Sequence, residues 1–302
     1  MGKLKIALIG AALCLSHAPV FGSPAIDYGV FYSHELLQTD ASTVIDYNTG
    51  DIPGNTLPGP YSFGAFDHLT PNGGGNSSSV KLPNTTTYPM VFTTDDNSWN
   101  YHSTGYASQS AVETAFANGN YSVAGAGPGS GSPSGPLNLT SGSYPNTPQL
   151  LLVNGAAAQW LGGSLLLNPG QANTLEWSAF ANYINPIGAN ISFNIYGNSG
   201  SVANQNAFTG PFGSGDSAFN TFTLNPGDLT LGDSYVVSIS YVQFTDLTTA
   251  SGGIDVAGNE TEINFTVSTV PETNNFWLAG LALIAIGIRF FVRRKTGVAT
   301  MA

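Results

Sequence analysis

Charge is scarce in this chain of 302 residues: only 8% are Asp, Glu, Lys or Arg, against about 25% in an average soluble protein. What charge there is has almost one sign. Between residues 24 and 270 a single base, Lys81, stands against 17 acids, because Lys3, Lys5, Arg289, Arg293, Arg294 and Lys295 all lie in the terminal segments. A surface so poor in cations repels phosphate backbones and anionic headgroups, which excludes nucleic acid as a partner. Cysteine is nearly missing as well. With Cys14 alone no internal disulfide can form, so stability has to come from packing.

Several catalytic signatures are also absent. There is no G-x-S-x-G elbow, no P-loop and no dinucleotide fingerprint. Zinc sites usually draw on tight pairs such as H-x-x-x-H, and His34, His68 and His102 stand too far apart to form one. The D-x-[DN]-x-[DN]-G spacing of a dedicated calcium loop does not occur. No cofactor is expected. Asp95, Asp96 and Asn97 are the calcium candidates, Asp255, Glu260 and Glu262 form a second group of carboxylates, and turn or capping roles compete for the first group.

What is present is a hydrophobic content of 42%, enough for a sizeable core, in a background of Gly, Ser, Thr and Asn. Water is met by hydroxyls and amides rather than ions. The N-terminal stretch MGKLKIALIGAALCLSHAPVFGSPA has a basic start, an apolar run from Ile6 to Leu15 and small residues beyond, the layout of a secretory signal over 1–22. Its partners would be the Sec translocon and signal peptidase. At the other end 13 apolar residues run from Phe276 to Ile288, then Arg289, then Phe290 to Val292, then Arg293, Arg294 and Lys295. If Arg289 snorkels, a membrane helix of about 276–292 results, with the basic cluster cytoplasmic and the bulk of the chain outside.

Val270, Pro271 and Glu272, the short apolar helix that follows and the basic end Arg293, Arg294, Lys295 together resemble the PEP-CTERM sorting signal of Gram-negative bacteria, with Thr273 where that family's second proline usually stands. The resemblance covers about 30 residues, 269–302 at most. It implies transient anchoring in the inner membrane, processing by an exosortase-type membrane protease, and delivery to the cell surface or extracellular matrix; exopolysaccharide is the partner expected there.

Between the termini the expected fold is mainly β. Residues 23–124 read as a β-rich region of short strands ("YGVFY", "YSFGAF", "YPMVFTT") with one helix in "SQSAVETAFANGNYSV", where Ser110 and Glu113 suggest a capping box. The Gly/Ser/Pro run 125–136 reads as a linker or one long loop. From 137 to 268 about seven alternating strands predict an antiparallel β-sandwich with one face of each sheet buried. Trp177 and the stretch LTLGDSYVVSI resemble the core tryptophan and tyrosine corner of fibronectin type III or Ig-like domains, with Leu229 or Leu231, Gly232, Tyr235 and Val237 as participants.

Three functions compete. The first is a non-enzymatic surface or matrix protein. The second is a carbohydrate-binding module in which Trp99, Tyr101 and Tyr106 stack on sugar rings, against the alternative that these rings fill a core. The third is a secreted hydrolase, which would need two acids held across a cleft. Seven N-x-[ST] sequons occur, and only the one at Asn264, with Glu262 two places before it, has the acidic form favoured in bacteria.

Overall fold

The structure, a computed structural model, describes residues 26–48, 59–68, 77–93, 98–126, 136–184, 186–197, 200–210, 216–248 and 254–270. The signal segment, the Asp95 to Asn97 carboxylates, most of the Gly/Ser/Pro run and the tail from Pro271 onward lie outside them, as does the span expected at 276–292. Among the described residues no helix is long and apolar enough to cross a membrane.

In chain order the elements are β1 (Ile26–Gln38), β2 (Val44–Asp46), β3 (Tyr61–His68), β4 (Ser77–Lys81), β5 (Thr87–Pro89), β6 (Val91–Thr93), β7 (Ser98–His102), α1 (Gln109–Ala115), β8 (Gly119–Ala126) and β9 (Leu137–Leu139). There follow β10 (Leu150–Val153), β11 (Ala156–Ala157), β12 (Trp160–Leu161), β13 (Ser164–Leu167), β14 (Asn173–Trp177), β15 (Ala189–Gly197), β16 (Gly200–Thr209), β17 (Thr221–Leu224), β18 (Ser234–Thr248) and β19 (Ile254–Thr269). They form an 11-stranded sheet whose main path runs β16-β15-β18-β19-β1-β3-β7-β6, and two four-stranded sheets, β11-β10-β14-β17 and β5-β4-β8-β9. The chain is therefore mainly β, as its alternating pattern predicts.

The large sheet is a wall shared by two cores. Its front face carries Ile191, Phe193 and Ile195 of β15, Tyr235, Val237, Ile239 and Tyr241 of β18, and Ile263, Phe265 and Val267 of β19, all buried. Period-two spacing puts each set on one side of its strand. These side chains meet Leu150, Leu175, Trp177 and Leu224 of the β11-β10-β14-β17 sheet in one hydrophobic cluster. Trp177 is fully buried, its ring stacked on Phe193 at 5.5 Å and met edge-on by Phe219 at 5.8 Å. Burying a side chain of this size contributes about 2–3 kcal/mol. Further along the same face, Tyr28, Val30, Tyr32, Phe63 and Ala65 pack on Val80, Tyr121, Val123, Leu137 and Leu139 of the second small sheet and on Val112 and Phe116 from the helical segment.

The corner read from the sequence is visible in the hydrogen bonds. Gly232 has φ +86, a conformation natural to glycine, and the chain turns there so that the Tyr235 hydroxyl accepts the Thr230 N–H at 2.7 Å. Leu229 is buried and Leu231 exposed, which assigns the apolar position of the motif to Leu229.

Three features go beyond the expected pattern. First, β1 runs parallel to β19, from Ile26 beside Ile254 to Leu37 beside Asn264, so strands from either side of the Gly/Ser/Pro run hydrogen-bond within one sheet. Second, β1 continues through Ser33–Gln38, and Gln38 seals its end. The buried Gln38 amide accepts the Leu150 N–H and donates to the Leu150 carbonyl, both at 2.9 Å, doing for β10 what a neighbouring strand would. Third, α1 is capped two residues earlier than the sequence suggests. Ser108 is the N-cap, its hydroxyl accepting the Ala111 N–H at 3.3 Å, and Glu113 receives Gln109 at 2.7 Å instead of closing a box with Ser110.

Candidate functional site

The back of the large sheet corrects the expectation that only one face of each sheet is buried. On β19, Glu260, Glu262 and Asn264 point to this side at two-residue steps. Their neighbours on β1 are Ser33 beside Glu260 and Glu35 beside Glu262. On β18, Ser240 lies beside Glu262 and Ser238 beside Asn264, and on β15 Ser192 and Asn194 continue those rows. Ser62 of β3 lies beside Ser33. Every one of these side chains is buried; Glu260 is 1%, Glu35 2% and Glu262 4% exposed. At one end the polar rows give way to an apolar patch of Phe31, Phe66, Phe208, Val242, Phe244 and Val256.

Serine hydroxyls supply the donors. Ser33 Oγ donates to Glu260 Oε2 at 2.8 Å and Ser240 Oγ donates to Glu260 Oε1. Ser238 Oγ donates to Glu262 Oε1 at 2.7 Å, with a further side-chain bond from Asn264. Among the described residues Glu35 has only Ser62 Oγ at 3.5 Å, at the outer limit of a hydrogen bond. Burial, which strips water from the charged form, pushes all three carboxyl groups upward: Glu260 to about 8, with the charge of Glu262 adding to the effect, and Glu35 well above the carboxylate range, with both Glu262 and Glu260 adding. Lys81, the only base between residues 24 and 270, is exposed on β4 in a different sheet. Neutralisation on this face therefore falls to protons. Glu35, the carboxyl with the poorest donor set, is the group best suited to hold one.

This arrangement can store protons at neutral pH, but it differs from the geometry of paired-carboxylate hydrolysis. Glu35 and Glu262 are side-by-side neighbours on parallel strands of one sheet face, not groups opposed across a cleft. Among the described residues no three of His, Cys, Asp or Glu are arranged to hold a metal ion. Asp255, grouped with the glutamates in the sequence, sits in register with Tyr28 at the far end of β19, where its charge and those of Asp67 and Asp246 add to burial in raising the tyrosine. Asp95, Asp96 and Asn97 lie outside the described residues, as do Pro271, Glu272 and the basic end Arg293, Arg294 and Lys295; Val270 is the last described residue, its N–H donating to Leu167 at 2.9 Å.

The three histidines do not converge. His34 stacks on Tyr61 at 4.3 Å with Nε2 3.1 Å from Asp46. His68 rests on Phe66 at the other end of β3. The His102 ring, with Nδ1 3.0 Å from the Ser103 carbonyl, is driven below the ordinary histidine range by burial. The candidate sugar-stacking rings are half-buried at the rim of the second core. Trp99 leans on Phe92 at 5.3 Å, Tyr101 meets Tyr88 at 5.0 Å and Phe63 at 6.1 Å, and Tyr106 stands edge-on to Phe116 at 6.2 Å. The sequon at Asn264 is buried beside Glu262, out of reach of a glycan in the folded chain.

No protein-family model matches the chain, and no curated protein matches it. Among solved structures, a two-domain fibronectin type III segment from chicken tenascin is similar over 69% of this chain and 92% of its own, at 11% identity and a TM-score of 0.23. The FN1–FN3 domains of chicken CNTN1 match over 70% and 62%, at 11% identity and 0.20. A Parabacteroides merdae β-glucuronidase matches over 77% of this chain but 30% of its own, at 13% identity and 0.24. At TM-scores this low none of these likenesses carries a functional argument.

Proposed function

We propose that this is an exported, non-enzymatic cell-surface or extracellular-matrix protein, held briefly in the inner membrane by its tail, released by an exosortase-type protease and associated with exopolysaccharide. The observation that carries the non-enzymatic reading is the placement of the glutamates. Glu35, Glu260 and Glu262, the acids that the fold brings together, lie side by side on one sheet face and not across a cleft, tied to serines of adjacent strands. The export and sorting parts rest on the terminal segments of the sequence, from the basic start at Lys3 and Lys5 to the Val270-Pro271-Glu272 motif and its basic end.

The test joins function and handling. Purified 23–269 fragment is screened on a glycan array and against a panel of glycoside substrates, and extracellular protein from the native host is analysed by mass spectrometry. Absence of turnover, together with native material lacking residues 275–295, is the expected result. Turnover abolished by Glu262→Gln would overturn the non-enzymatic reading. Selective glycan binding would move the protein to the carbohydrate-binding class, and an intact tail on extracellular protein would sink the sorting claim.

A further inference from the structure

Among the described residues, one end of the large sheet is left open. β16 closes the main path and, among the described residues, pairs only with β15. It spans ten residues, Gly200–Thr209, longer than any other edge strand among the described residues. Natural proteins blunt such edges with charge, proline or brevity. The sequence GSVANQNAFT contains no charged residue and no proline, and the one irregularity of β16 lies at Val202, between Ser201 and Ala203, outside the stretch Asn204 to Asn206.

Asp216 shows which backbone groups face outward. Its N–H donates to the Phe208 carbonyl at 3.2 Å, and the Phe208 N–H donates to Asp216 Oδ2 at 3.4 Å. In an antiparallel strand one residue's N–H and C=O lie on the same side and alternate from residue to residue. Both groups of Phe208 therefore point away from β15, and at two-residue steps so do those of Asn206 and Asn204. Asp216 caps the Phe208 position. Asn204 and Asn206 present the next outward pairs, with Asn204 and Gln205 exposed and Asn206 half-buried.

We propose that β16 pairs with the β16 of a second copy of this chain, antiparallel, about a two-fold axis at Gln205. In this register Asn204 of each copy lies opposite Asn206 of the other, and each such pair exchanges two N–H···O=C bonds. Gln205 meets its own counterpart as a non-hydrogen-bonded pair. A second copy is the occupant that fits because the pattern is self-complementary about Gln205. It fits also because, in a chain of net charge −11, the stretch about Gln205 carries no carboxylate of its own, while Asp216, at the Phe208 position, limits the pairing in each copy to this short stretch. The pairing joins two large sheets into one continuous sheet across the dimer and does not depend on the surface-protein reading above.

The test is register-specific cross-linking of the full chain in non-ionic detergent, in a Cys14→Ser background. Opposed residues of a non-hydrogen-bonded pair have Cα atoms about 4.5 Å apart, within disulfide range. Gln205→Cys is therefore expected to yield covalent dimer under mild oxidation. Ser201→Cys, equally exposed but about 27 Å from its counterpart in this register at ~3.4 Å per residue, is not. Sedimentation equilibrium adds an independent readout: Gln205→Glu, which sets like charges opposite each other, is expected to weaken the dimer about five-fold. The proposal is overturned if Gln205→Cys gives no more covalent dimer than Ser201→Cys, if Gln205→Glu leaves association unchanged, or if the unmodified chain remains monomeric at all concentrations.

Discussion

Raising the pH from about 5 to about 9 should destabilise this protein progressively, because the back of its large sheet holds protons that an unfolded chain would release. Glu260 titrates near 8 when folded against an ordinary value of 4.5. Between those two values the unfolded chain has lost this proton and the folded chain keeps it. The contribution of this group to stability is fully present below pH 4.5, falls by roughly 1 kcal/mol for each pH unit above it, and is lost by about pH 8. Over that window the total is several kcal/mol, a large share of the roughly 5–15 kcal/mol typical of a domain. Glu35 and Glu262 are shifted in the same direction and add to the slope. The described groups facing them are Ser33, Ser62, Ser238, Ser240 and Asn264, with no cation among them to offset the charge that appears. Half-buried His102 acts oppositely, since loss of water around its ring holds its folded value below 6.5 and its contribution grows as pH rises toward 6.5. The window from about pH 7 to about pH 8 therefore isolates the glutamates. Urea unfolding followed by tryptophan fluorescence should show a midpoint that falls steadily across it. The same measurement on Glu35→Gln/Glu260→Gln/Glu262→Gln should be flat there. A wild-type midpoint that holds or rises between about pH 7 and about pH 9, or a triple variant that keeps the slope, refutes the reasoning.

Two further substitutions probe the connections between layers. Gln38→Ala removes the amide that satisfies both backbone groups of Leu150, leaving a buried N–H and a buried C=O unpaired, and should lower stability by about 2–4 kcal/mol in urea unfolding. Tyr235→Phe keeps the ring but strips the acceptor from the Thr230 N–H; the expected loss is about 1 kcal/mol, read as a lower midpoint at unchanged denaturant slope.

The parts of the fold that were legible in the sequence are those specified locally. The alternation Tyr235, Val237, Ile239 dictates a strand with one apolar side whatever lies beside it, and LTLGDSY sets its corner within seven residues. Strand pairing carries no such local signature. Ser33 and Glu260 are hydrogen-bonded across 227 residues of chain, and nothing in "SHELLQ" announces that its neighbour is "NETEIN" rather than solvent. The same gap hid the candidate site. The i, i+2 pattern was present in Ser33/Glu35, Ser238/Ser240 and Glu260/Glu262, with His34, Ile239 and Thr261 between them, and polar alternation of that kind ordinarily marks a solvated face. Burial reverses its meaning. Once both faces are inside, the small hydroxyls serve as donors matched to carboxylates one strand away, and period-two spacing keeps them in register along each row. On this sheet the serines recur opposite the acids on strands to both sides, a match that shows only once the strands are paired. In a chain whose described residues contain one lysine and no arginine, an acid on a central strand has no partner of opposite charge to find, so hydroxyls and protons are the means left for holding it inside.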